Sequence, residues 1–369
     1  MFKSSLRKVP FIALLIFVGM CCMPSAHAQE MVPDTLVTVK AEVVEILSQE
    51  TSPIPVVGTE SLKQSLRVKI LEGKDKGTVV IIENDYTSLK RGDVFYLNHS
   101  TNHLDGTDEY YASDPYRLPA LYFFVGLFVF CVAVFGGKQG IRGLLSLIGS
   151  LFIIMYVLLP AIIHGYPPVL VSIAVSSLII IVGSYITHGV NRTTSAAVIG
   201  MVVTIIFTGI LAYIAVGATK LTGFNTEEAV YLNFNTNGVV NFAGLLLGGI
   251  MIGLLGVLYD VSIGQAVAVE ELHRAGVHYT RRVLFTRALR IGREHIGALV
   301  NTLAIAYVGA SLPLLLLYYT SQVDWHITLN QEVFATEVIR IMIGSIGLVL
   351  AVPITTFISV LMVTKSSKK

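Results

Sequence analysis

The stretch Gly248-Gly249-Ile250-Met251-Ile252-Gly253-Leu254-Leu255-Gly256-Val257-Leu258-Tyr259-Asp260 decides how this chain is read. Spacings of four, three and four put Gly249, Gly253, Gly256 and Asp260 on one face of a helix. Glycines on such a face let another helix approach closely. That matters in lipid, where apolar tails give helices no hydrophobic drive to associate. A carboxylate beside such a seam is expensive in a membrane, which makes it a functional candidate.

The rest of the chain supplies the membrane context. Its 369 residues are 54% hydrophobic and 14% charged, against about 25% charged in soluble domains. Mean hydropathy is +0.72. Apolar residues concentrate in 118–363, in seven stretches at roughly 118–136, 141–163, 167–187, 195–219, 238–262, 296–319 and 339–363. Each is close to the roughly 20 residues a spanning helix needs. The net charge of +2 points to no nucleic-acid partner.

Residues 1–28 read as a secretory signal: Lys3, Arg7 and Lys8 are basic, Phe11 to Cys22 form a short apolar core, and Ala26-His27-Ala28 is a small-x-small cleavage site. An uncleaved anchor helix is the alternative, and either places residue 30 onward outside the cytoplasm. After cleavage Cys131 is the only cysteine, so no intramolecular disulfide is expected. Residues 29–117 alternate as short strands. Val37, Val39, Ala41 and Val43 share one face, as do Leu66, Val68 and Ile70, and Val79–Ile82 and Val94–Leu97 follow turn signals. The expectation is a small extracytoplasmic all-β domain, an OB-like barrel, with a polar linker into an all-α polytopic bundle of seven helices.

Charge orients the bundle. The segments expected in the cytoplasm hold Lys138, Arg142, Arg192, the arginines from Arg274 to Arg293, and Lys365, Lys368 and Lys369 of the tail 364–369. The outer loops hold only Lys220 and Arg340. This positive-inside bias agrees with the signal segment. Residues 273–295 carry Leu284, Ala288 and Ile291 on one helical face, with Arg281, Arg282, Arg287, Arg290 and Arg293 around the others. Two readings stay open: an amphipathic helix lying on the anionic lipid surface, or a charged loop that only sets topology.

Asp260 falls near the inner end of the fifth stretch, roughly 30 Å from residue 240. It either faces protein in the inner leaflet or sits solvated at the boundary. Gln265, Glu270 and Glu271 extend its polar face, and Glu270-Glu271 is most simply a solvated helix end. Asn301, about 8 Å into the sixth stretch, lies at a similar depth. It can hydrogen-bond Asp260 across the helices, or bond a backbone carbonyl and only hold helices together. Pro160, Pro313 and Pro353 mark kinks, with Thr355 and Thr356 placed to re-satisfy the backbone beside Pro353. His99 and His103 sit four apart in an acidic stretch and read as ordinary loop polarity, not as a metal site. There is no phosphate-binding loop, no His-Glu-x-x-His and no Gly-x-Ser-x-Gly. No enzyme activity and no cofactor are therefore expected.

Val257-Leu258-Tyr259-Asp260-Val261-Ser262-Ile263-Gly264-Gln265-Ala266, then Glu270-Glu271-Leu272, Gly292-Arg293-Glu294-His295-Ile296-Gly297, Val300-Asn301-Thr302-Leu303 and Tyr307-Val308-Gly309-Ala310-Ser311-Leu312-Pro313 resemble the YibE/F-like bacterial membrane proteins. Tyr259 departs from the smaller residue expected beside Asp260. The resemblance covers most of 118–363 and implies a multi-pass protein of the bacterial plasma membrane, with no substrate attached. Two functions follow as expectations. One is a secondary transporter or permease of a small solute or ion, with Asp260, Asn301, Gln265 and Glu271 as proton- or cation-binding candidates and Gly249, Gly253 and Gly256 permitting helix movement. The other is a receptor or envelope-assembly factor whose outer domain binds a protein partner. The lipid bilayer is a partner in both, and a homo-oligomer is compatible with either.

Overall fold

Alternation along β1 (Thr35–Pro53), β2 (Glu60–Ile70), β3 (Val79–Asn84), β4 (Val94–Thr101) and β5 (Asp108–Pro115) builds one antiparallel sheet in the order β3-β2-β1-β4-β5. Edge strands β3 and β5 approach each other without a ladder between them, so the sheet is a half-closed barrel with OB-type connectivity. Leu66, Val68 and Ile70 point inward while Arg67 and Lys69 point out, and Ala41, Val43, Phe95 and Leu97 complete the core. Val37, expected on the same face, lies exposed near the start of β1. The buried Gln64 side chain is fully used: it accepts from Leu89 N and Asn84 Nδ2 at 3.0 Å and donates to Leu89 O at 2.9 Å.

The computed structural model describes residues 35–53, 60–85, 87–101, 107–276, 279–321 and 323–366. The signal segment 1–28 and His103 lie outside them. The chain divides into two compact units, up to Gly126 and from Leu127 onward.

The helices are α1 (Leu118–Ile153), α2 (Leu159–Ile163), α3 (Pro168–His188), α4 (Arg192–Thr219), α5 (Glu227–Asn235), α6 (Phe242–Ala275), α7 (Arg281–Ala310), α8 (Leu312–Thr320), α9 (Trp325–Asn330) and α10 (Glu332–Ser366). A π turn, Ile154–Leu158, joins α1 to α2. The apolar stretch Leu118–Ile163 has 46 residues, about 69 Å of helix against a hydrocarbon core of about 30 Å. It is two arms. Gly137 breaks it with φ 53° and ψ −140°, and the chain turns back so that Gly140 lies against Val132, 3.0 Å from Val132 Cγ1 to a Cβ built on the glycine. A straight helix would separate those residues by about 12 Å. α3, α4, α6 and α10 are each long and apolar enough to cross a membrane, and α7 with α8 forms a sixth candidate bent by 65°. All seven expected stretches are therefore helical.

Side-chain caps start these helices: Asn191 accepts from Thr194 N at 2.8 Å, and Asn241 from Gly244 N at 2.9 Å. Small residues let them pack. A Cβ on Gly200 of α4 would stand 2.5 Å from Thr355 Oγ1 of α10, and one on Gly347 of α10 would stand 2.7 Å from Thr208 Oγ1. Gly244 and Gly248 of α6 meet Pro168 and Ser172 of α3 in the same way. Around these contacts lie Met201, Ile205, Met251, Leu254, Leu258 and Ala351.

Arg281 to Arg293 forms no separate surface helix. It is the first half of α7, continuous with the span, and its buried Leu284 and Ala288 pack on Val269 of α6 and Val360 of α10. The apolar face was legible, but its partner is protein and not lipid. Ile291, expected on that face, is exposed, and Gly292 is buried instead.

Replacing Gly200 by Leu is expected to lower the melting temperature of the detergent-solubilised protein, reflecting about 1–3 kcal/mol of overpacking. Gly249→Leu, with nothing within 4 Å of its Cβ, should stay within about 0.5 kcal/mol. In the β-domain the His99 imidazole and then the Thr101 hydroxyl hold the Asp108 carboxyl below the ordinary aspartate range. Because the folded value is lowered, the stabilisation exists above the unfolded value and is lost as pH falls through the folded one. Amide-exchange protection in β5 should therefore decline on strong acidification, and His99→Ala should flatten that dependence.

Candidate functional site

One glutamine sets the geometry where three helices meet. Gln265 of α6 is buried, and its Nε2 donates to Ala288 O of α7 at 2.8 Å and to Thr356 Oγ1 of α10 at 2.7 Å. Gly292 makes room for it: a Cβ there would lie 2.7 Å from Gln265 Oε1. Gln265, expected among the proton- or cation-binding candidates, is thus a clamp through its amide nitrogen, while the residue also lines the cleft between α6 and α7. The Thr356 hydroxyl donates in turn to Val352 O at 2.6 Å, one turn back beside Pro353.

Below this clamp α6 and α7 part to form a cleft of about 300 Å³ lined by Asp260, Gly264, Gln265, Gly292, His295 and Leu299. The Asp260 side chain is exposed to it. On the other side of α6, Asp260 is close enough to His188 of α3 for their charges to interact. The His188 ring lies 5.7 Å from that of Tyr259, and the Tyr259 hydroxyl donates to Gly183 O at 3.3 Å. Asp260 therefore lies within electrostatic range of His188 of α3 and shares the wall of the cleft with His295 of α7.

Asn301 is not one of its partners. The α7 residues that face α6 or line the cleft include Ala288, Ile291, Gly292, His295, Leu299 and Tyr307. Asn301 is two positions past Leu299, about 200° around the helix, and it is exposed. The sequence marked Asn301 as polar in an apolar run but not the direction it takes around the helix. Glu271 is exposed and pairs with Arg274 at 3.4 Å. Glu270 pairs with the same arginine at 2.5 Å and also accepts from the Thr193 hydroxyl. Both acids belong to a salt-bridged helix end beside a separate cavity of about 490 Å³.

The glycine stripe is an open groove more than a closed seam. Gly253 alone meets the neighbouring helix closely, at the Tyr307 hydroxyl, while Gly249 and Gly256 have nothing within 4 Å of a built Cβ. All three are exposed, as are Asp260 and Gly264 on the same stripe. Of the arginines, Arg281 Nε donates to Thr364 Oγ1 at 2.9 Å. Arg287 donates to the Tyr279 hydroxyl and lies 4.4 Å above that ring. Arg282, Arg290 and Arg293 are exposed.

Two features escaped the sequence reading. The first is a set of buried hydroxyls on α3. Ser172 and Ser176 are each 0% exposed and have no hydrogen-bond partner among the described residues, and Ser184, also 0% exposed, lies beside the Tyr259 hydroxyl. Thr187 follows, next to His188. A buried, unpaired hydroxyl is costly, and the i, i+4 spacing of Ser172 and Ser176 was the available signal. The second is Arg340, expected in an outer loop. Helix α10 begins at Glu332, so Arg340 lies about 12 Å along it. There it pairs with Glu337 at 2.9 Å and sits 5.6 Å from the Tyr307 ring.

A family model described as YibE/F-like protein matches residues 124–365. No curated protein and no solved structure matches the chain.

Gln265→Leu is expected to cost about 1–3 kcal/mol, because two buried hydrogen bonds lose their donor. Asn301→Ala should change stability by no more than about 0.5 kcal/mol. Thermal melts of the purified variants in detergent compare the two directly.

Proposed function

The chain belongs to the YibE/F-like family, and from that premise we propose that it is a proton-linked secondary permease of a bacterial plasma membrane. In this reading the outer β-domain faces away from the cytoplasm, and the basic helix ends face it, following the charge bias. The observation that carries the proposal is the polar cluster in which the buried α3 hydroxyls Ser184 and Thr187 stand beside His188 and Asp260, with Ser172 and Ser176 about two turns away on the same helix beyond Ile180. Intramembrane carboxylates joined to histidines and polar side chains are the usual components of proton relays. Asp260 takes up and releases the proton, His188 passes it to or from those hydroxyls, and the cleft lined by His295 connects the carboxyl with the basic end. Exposed Gly249 and Gly256 leave space along α6 on either side of its close contact at Gly253, and the 65° break after Ala310 is a second point of adjustment.

The test is flux in reconstituted vesicles under an imposed pH gradient, read with a pH-sensitive dye. Asp260→Asn should keep the wild-type melting temperature and lose proton-linked flux. Undiminished flux in that variant removes Asp260 from the mechanism.

A further inference from the structure

A second cavity lies on the opposite side of α6 from the Asp260 cleft. Its volume is about 340 Å³, within the range of small-molecule sites of about 300–1,000 Å³. The second arm of α1, together with α3 and α6, encloses it. Its length is lined by apolar side chains such as Leu147, Leu151, Ile179, Ile180, Ile252 and Leu255. Polar groups gather at one end: Ser146, Thr187 and Tyr259, next to His188 and Asp260. Ser150, also in the wall, is spent within its own helix, donating to Ser146 O at 2.8 Å. The slot runs about 10 Å along α6, from Tyr259 to Ile252. Leu147 and Leu151 on its rim are 47% and 53% exposed, so a ligand enters sideways from hydrocarbon without crossing water.

An ion or sugar finds nothing along this length to replace its hydration, and burying polar groups there is costly. An extended hydrocarbon chain fits, provided that it ends in a polar group at the Tyr259 end. We propose that this slot binds one acyl chain of an amphiphile from the adjacent leaflet, with the headgroup beside Tyr259 and His188. This stands on the slot's own lining and does not depend on the permease reading.

Gly256 lines the slot, and a Cβ built on it meets nothing within 4 Å. Leu at that position therefore fills the cavity without a clash. Gly143, in the opposite wall, has the same freedom. Gly249 has it too but is absent from the lining, so Gly249→Leu is the control. The probe is myristoyl lysophosphatidylglycerol, titrated onto the purified protein and counted as adducts by native mass spectrometry, with glycerophosphoglycerol as the chain-free comparison. Wild type and Gly249→Leu should each hold one tight adduct. Gly256→Leu and Gly143→Leu should bind it at least about tenfold more weakly, and the chain-free headgroup should not compete. Equal binding by all four proteins, no saturable adduct on wild type, or competition by the bare headgroup would each overturn the proposal. Should one filled variant fail to fold, the other, from the opposite wall, decides.

Discussion

Helices in lipid gain nothing from hiding apolar surface from one another, so this bundle depends on how closely its backbones approach. The contacts that allow it pair a glycine with a small hydroxyl or a proline: Gly200 with Thr355, Gly347 with Thr208, Gly248 with Ser172, Gly244 with Pro168. Two of them join α4 with α10 and two join α3 with α6, and Gly209 of α4 and Gly347 of α10 bring the pairs together against Met251 and Leu254 of α6. Gln265 adds a directional tie to α7. Everything near Asp260 inherits its geometry from that scaffold. The α6–α7 cleft exists because the two helices are held together at Gln265 and again where Tyr307 meets Gly253, leaving space between those points.

The spans, the β-sheet and the break near Gly137 were legible because each leaves a signal in one dimension. Apolar length marks a span, alternation marks a strand, and an interruption holding Lys138 between two apolar runs marks a turn. The candidate site was legible only in part. Asp260 stands out as an acid in an apolar run, but its neighbours are chosen by azimuth and not by depth. Asn301 is turned away from the cleft, while His295, six residues earlier, lines it. His188 comes from a helix more than seventy residues away and carried no local mark. Gln265 looked like a ligand because a buried amide and a binding amide are the same residue type. Only its partners, Ala288 O and Thr356 Oγ1, distinguish them.

Helix α6 consequently divides two environments. One flank borders a cleft with ionisable groups from α7, and the other borders an apolar slot walled by α1 and α3. Tyr259 and Asp260 are consecutive residues, so helical periodicity turns one toward each side. The tyrosine that seemed too large beside the carboxylate closes the polar end of the slot, and its hydroxyl is held by Gly183 O. A smaller residue would leave that end open.

The chain contains a single tryptophan, and it sits in the short helix α9, 55% exposed, with its ring 3.6 Å from that of His326. Tryptophan emission from this protein is therefore a local optical probe of the connection between α8 and α10. Excited selectively beyond the tyrosine band, that indole describes the surroundings of α9, while the sixteen tyrosines carry the signal of the rest of the chain.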